Sequence, residues 1–139
     1  MKSRASIMGP IVCTRKLVGE LGDKRRVTAT VRIGTPRKQG QNWVCAFDVS
    51  GIGLRQPVLA YGVDGVQALV MALSGIRATI DKSDVSWSWV HGQKGYTGFP
   101  SFVPMGFGVA FTRKLERLMD REVTRFARAA ERRSKSRSG

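Results

Sequence analysis

The chain has 139 residues, 42% of them hydrophobic and 24% charged, which is ordinary for a globular domain able to bury a core without metal or disulfide staples. Two cysteines, Cys13 and Cys45, exclude a disulfide framework and a structural zinc site, and no apolar run approaches membrane-spanning length. Only the charge is unusual, at a net +14.

Residues 1–9 show no pattern. The start Met1-Lys2-Ser3-Arg4 lacks the apolar run a signal peptide needs, because Gly9 and Pro10 interrupt Ile7 to Val12. Ile11 to Val18 alternates well enough for a first strand, and Gly19 to Lys24 reads as a turn. Val27 to Ile33 places Val27, Ala29, Val31 and Ile33 on one face and Thr28, Thr30 and Arg32 on the other, the pattern of a strand with one wet side. Gly34 to Gln41 reads as a loop whose Arg37 and Lys38 project from a hairpin tip. Trp43 to Val49 is the third strand, Gly51 to Gly53 a tight reversal, and Val58 to Tyr61 a short fourth.

At Gly62 the period lengthens from two to 3.6. Asp64 followed by Gln67 is a capping-box pattern, and Val66, Leu69, Val70, Leu73, Ile76 and Ile80 give the helix to about Lys82 a broad apolar face, widened by Ala68, Met71, Ala72 and Ala78. Gly75 inside it either permits close approach to the sheet or is simply tolerated. Trp87-Ser88-Trp89 suggests a short last strand ending at His91. From Gly92 to Gly108 periodicity is lost among five glycines, Pro100, Pro104 and the aromatics Tyr96, Phe99, Phe102 and Phe107. Such a loop either closes one end of the core or forms a ligand or partner site.

The last periodic stretch, Phe111 to Arg133, is a long helix. At about 100° per residue, Leu115, Leu118, Met119, Val123, Phe126 and Ala130 share one side. Arg113, Arg117, Arg121 and Arg125 follow at intervals of four on the other, continued by Arg128 and Arg132. Arg117 with Asp120, Glu122 with Arg125 and Arg128 with Glu131 are the internal pairs that spacing allows. The apolar side is expected to be used by the core, which argues against adsorption to a membrane. Ser134 to Gly139 is expected to be a disordered basic tail. The fold class is therefore α+β: an antiparallel meander of four or five strands with two helices, the last long and basic, forming a single domain over residues 1–133.

The motifs Tyr61-Gly62-Val63-Asp64-Gly65-Val66-Gln67-Ala68-Leu69 and Gly98-Phe99-Pro100-Ser101-Phe102-Val103-Pro104-Met105-Gly106-Phe107-Gly108 resemble a family of small uncharacterised bacterial proteins. The resemblance implies a bacterial origin and assigns no activity to any residue.

Catalytic chemistry is hard to place. His91 is the only histidine, neither cysteine lies in a nucleophile motif, and no metal-ligand or phosphate-loop spacing occurs. No enzyme activity and no cofactor are expected. The charge is segregated instead. Residues 1–38 hold ten Lys/Arg against Glu20 and Asp23, residues 39–111 balance four against four, and residues 112–139 hold ten against four acids. A field of this kind attracts polyanions. The leading expectation is a cytoplasmic protein that binds nucleic acid without strong sequence preference through Arg113, Arg117, Arg121, Arg125, Arg128 and Arg132, with Arg37 and Lys38 adding contacts. The alternative is an immunity or antidote module that caps an acidic protein through Trp87, Trp89, Tyr96, Phe99 and Phe102.

Overall fold

A computed structural model describes residues 1–139, which divide into two compact units, Met1–Ser101 and Phe102–Gly139. The division falls inside the glycine-rich stretch, and each unit is described in turn.

The first unit is a six-stranded antiparallel sheet with helices on its faces. In chain order it holds α1 (Arg4–Met8), β1 (Ile11–Glu20), β2 (Arg26–Gly34), β3 (Arg37–Gln39), β4 (Asn42–Ser50), β5 (Val58–Gly62), α2 (Gly65–Asp81) and β6 (Ser86–Trp89). β1 pairs with β2, β2 and β3 with β4, and β4 with β5, which is a meander; β6 returns to the free edge of β1. β2 and β3 share one edge of β4, since β3 pairs with Asn42–Val44 and β2 with Phe47–Ser50, while β5 takes the other.

The alternation in β2 is realised: Ala29, Val31 and Ile33 are buried and Thr28 is exposed. β4 departs from a half-buried strand, because every residue from Val44 to Val49 is buried. Cys45, Phe47 and Val49 face the main core with Leu17, Val31, Ile76 and Trp87. Val44, Ala46 and Asp48 lie on the opposite side, which α1 covers with the buried Met8.

That cover sits in residues expected to be loose. Ser3 caps α1 through its hydroxyl, which accepts from the Ser6 amide at 3.2 Å. Arg37 holds the other end, donating to the carbonyls of Ile7 at 2.7 Å and Met8 at 3.3 Å. From within α1, Arg4 donates to Leu54 O at 3.0 Å and lies 3.5 Å from the Asp48 carboxylate. Asp48 is only 2% exposed and its Oδ1 accepts no hydrogen bond, so this guanidinium is what offsets the burial of its charge.

α2 forms where the period changed, and its capping box is made. Asp64 Oδ1 accepts from the Gln67 amide at 2.8 Å, and Gln67 Oε1 accepts from the Val63 amide at 2.7 Å. Its buried face is a part of the broad one expected. Ala68, Ala72, Ile76 and Ile80 are buried and Leu69 and Leu73 pack against the core, whereas Val66 is 73% exposed and Met71 and Val70 are also outside. Small side chains explain which part is buried. A Cβ on Gly75 would lie 2.9 Å from the Phe47 ring, so the helix rests on the sheet along its smallest residues and the bulkier valines turn outward.

The second unit is α3 (Val109–Arg137) with the short segment before it. Gly108, at φ 94°, breaks the chain direction, and no Gly or Pro follows until Gly139. Helix continues to Arg137, past the expected end at Arg133. Lys135 and Arg137 occupy the last turn, where cations meet the negative end of the helix dipole. No residue of α3 is buried. No helix is long and apolar enough to cross a membrane.

Candidate polyanion interface

The helix that carries the arginines is built from strong helix formers and anchored locally at its start. Thr112 donates from Oγ1 to Pro104 O at 2.9 Å and from its amide to Gly108 O at 3.1 Å. Phe107 and Phe111 meet edge to face with ring centroids 5.8 Å apart. Beyond that turn nothing interrupts the backbone, so side chains four apart stay in register for the length of the helix.

Two of the six stripe arginines have internal partners. Arg113 lies 2.9 Å from Glu116 and Arg125 lies 3.4 Å from Glu122, and all four side chains are largely solvated. The pairs that spacing also allowed, Arg117 with Asp120 and Arg128 with Glu131, do not form. Arg117, Arg121, Arg128 and Arg132 therefore stand exposed without an ion-pair partner. Arg121, Arg125, Arg128 and Arg132 line one shallow groove with Thr124 and Asp120; Lys114, Arg117 and Arg121 line the next. The arrangement offers a row of guanidinium forks suited to phosphate or carboxylate oxygens.

Arg37 and Lys38 belong to the first unit and differ from each other. Lys38 is exposed on β3, paired across to Trp43. Arg37 is half-buried, and its guanidinium is engaged by the α1 carbonyls rather than projecting from a hairpin tip.

The aromatic residues separate in the same way. Trp87 and Phe99 are each 4% exposed and belong to the core, and the Trp87 indole donates to Ser83 Oγ at 3.0 Å. Trp89 is half-buried, while Tyr96 and Phe102 are exposed. What organises the group is a residue that sequence reasoning missed. Arg15 lies between two rings, 4.4 Å from the Trp89 centroid and 4.8 Å from that of Phe99, and donates to Thr97 O at 3.3 Å. Arg77 secures the same loop from α2, donating to Phe99 O at 2.8 Å and to Asp81 at 3.0 Å. No pattern in the sequence marks this arrangement, because Arg15 and Arg77 meet the loop across long sequence separations.

Other chemistry is sparse. His91 is exposed and meets the edge of Trp89 with centroids 6.0 Å apart. Burial pushes the Cys45 thiol above its ordinary range, the Cys13 charge adds to that and Arg37 opposes it, which is the wrong direction for a nucleophile. Its Sγ donates to Gly34 O at 3.3 Å. No cluster of three or more His, Cys, Asp or Glu is placed to hold a metal ion.

A family model described as a domain of unknown function, DUF6968, matches residues 13–101. The chain belongs to that family. The DUF6968 match runs from β1 to the last residue of the first unit, and α3 with all six stripe arginines lies beyond it. No curated protein and no solved structure matches the chain.

Proposed function

We infer that the chain is a non-enzymatic binding protein in which α3 engages a polyanion, and that the polyanion is nucleic acid. One observation carries this reading: four exposed arginines along one helix are unclaimed by the protein's own acids. Repeated like charge at intervals of four weakens a helix by a few tenths of a kcal/mol per pair, about 0.2–0.5, so the row is unfavourable until an external anion meets it. At about 1.5 Å per residue, the 29 residues of α3 span roughly 43 Å, long enough to follow several phosphates. Contacts of this kind position a protein on a strand without reading bases.

Binding of a labelled duplex and a labelled single strand, titrated from about 50 to about 200 mM salt, tests it. With about four phosphate contacts, log affinity is expected to fall with log salt at a slope of roughly −3 to −4. Changing Arg117, Arg121, Arg128 and Arg132 to Gln together is expected to flatten that slope and abolish binding. Affinity that is flat in salt, or unchanged in the quadruple variant, would remove the proposal.

The reading in which Trp87, Trp89, Tyr96, Phe99 and Phe102 anchor an acidic protein partner has less support. Two of those five are already used in the core, and a third carries the Arg15 guanidinium.

A further inference from the structure

An unpaired strand edge invites another strand unless something guards it. Most edges of the first unit's sheet are guarded. The part of β1 that extends past β6 carries Arg15 and Lys16 and shifts register between Ile11 and Cys13, as a bulge does. β3 carries Arg37 and Lys38. β6 is screened by the chain that follows it, since the Trp89 amide donates to Tyr96 O at 2.7 Å and the Gly95 amide to Ser88 Oγ at 2.7 Å. β5 is different. Val58–Gly62 holds no charge, no proline and no register shift, and within the first unit its only ladder is the one with β4. Its Val58 and Tyr61 side chains are 38% and 52% exposed.

We propose that β5 pairs antiparallel with β5 of a second copy, joining two sheets into one across a two-fold axis. The open amides and carbonyls of a strand edge call for an extended donor, which a helix cannot supply. The rest of the chain offers none, because Val109–Arg137 is helical and the segment before it is interrupted by Pro104, Gly106 and Gly108. β5 is complementary to itself. An axis at Ala60 sets Ala60 against its counterpart, Leu59 against Tyr61 of the second copy and Val58 against its Gly62. Small side chains then meet at the axis, and on each side of it a tyrosine ring packs on a leucine. Charge permits the approach here and opposes it elsewhere in the sheet. Residues 42–62 hold Asp48 and Arg55 alone, whereas residues 11–34 hold six Lys/Arg against Glu20 and Asp23. At each end of the pairing, the register brings Arg55 of one copy towards Asp64 of the other. Both side chains belong to exposed residues, and neither has an ion-pair partner in its own chain. No residue of α3 takes part, so the pairing stands or falls independently of the nucleic-acid reading.

Sedimentation velocity of the full chain from about 1 to about 100 μM tests this, the span over which weak dimers dissociate. A reversible monomer–dimer equilibrium is expected. Val58→Lys with Tyr61→Lys, which guards the edge as the other edges are guarded, is expected to weaken the dimer by about tenfold or more with circular dichroism unchanged. A nitroxide on Tyr61→Cys in a Cys13→Ser chain reads the register without adding charge, and decides the matter should the lysine chain unfold. Diagonal neighbours across an antiparallel pair lie about 7–8 Å apart, so dipolar coupling is expected to broaden the spectrum of the dimer strongly. A monomer at every concentration overturns the proposal. So does a dimer that the folded lysine variant leaves intact, which assigns the contact to another surface such as the apolar side of α3, and so does a dimer whose spectrum is not broadened.

Discussion

At the scale of single residues, the first unit depends on side chains that are absent or small. Gly75 sits in the middle of α2, where a glycine costs about 1 kcal/mol relative to alanine. The alanine is disallowed by position, since its Cβ would meet the Phe47 ring at 2.9 and 3.1 Å, and Phe47 is 1% exposed among close-packed neighbours. Gly75→Ala is therefore expected to destabilise by about 1 kcal/mol net, the overpacking strain exceeding the gain in helix propensity. Urea denaturation reads this directly, and a midpoint higher than wild type would contradict it. Arg15 shows the reverse case, a long side chain whose flat guanidinium fills the space between Trp89 and Phe99. The sequence offered no sign of that stack, because the three residues are brought together only by the β1–β6 pairing and the loop that follows.

At the scale of elements, signals carried by a few adjacent residues were legible and signals that depend on distant partners were not. The Asp64 and Gln67 box announces α2, and the structure makes both of its hydrogen bonds. Asp64→Ala is expected to cost about 1 kcal/mol, lowering the thermal midpoint of the first unit by roughly 5 °C, followed by far-ultraviolet circular dichroism. An unchanged midpoint would mean that α2 is held by packing alone. The face of α2 was less legible than its start, because hydrophobicity favours Val66 and Val70 while close approach favours Ala68, Ala72 and Gly75. β3 carries Arg37, Lys38 and Gln39, with no apolar alternation to reveal it, and exists because β4 extends past the end of β2. α1 is five residues long and could not persist by propensity; Arg37 and Asp48 hold it from outside. In α3 both stripes were legible from spacing alone, because residues three and four apart share a face over the whole length of the helix.

At the scale of the whole molecule, the family match and the division into units agree, while the charge excess is shared between the units at +8 and +6. Ten of the basic residues lie beyond Ser101, where both the first unit and the matched region end. A chain stopped after Ser101 is expected to keep a cooperative, strand-rich unfolding transition and to lose nucleic-acid binding. Circular dichroism and the labelled-duplex titration check the two halves of that statement. Retained binding would move the interface to the first unit, and a collapsed transition would show that the second is required for folding.

The clamp on α1 bears on the order in which the chain can fold during synthesis. Arg4 leaves the ribosome well before its partners: the carbonyl it bonds is 50 residues later in the chain, and the carboxylate it pairs with lies on β4. Vectorial emergence thus leaves the N-terminal segment waiting until translation has passed the end of β4. Nascent chains halted before that point would carry an undocked α1 and a strand with one side still bare, a stage at which holdase chaperones would find the most to grip.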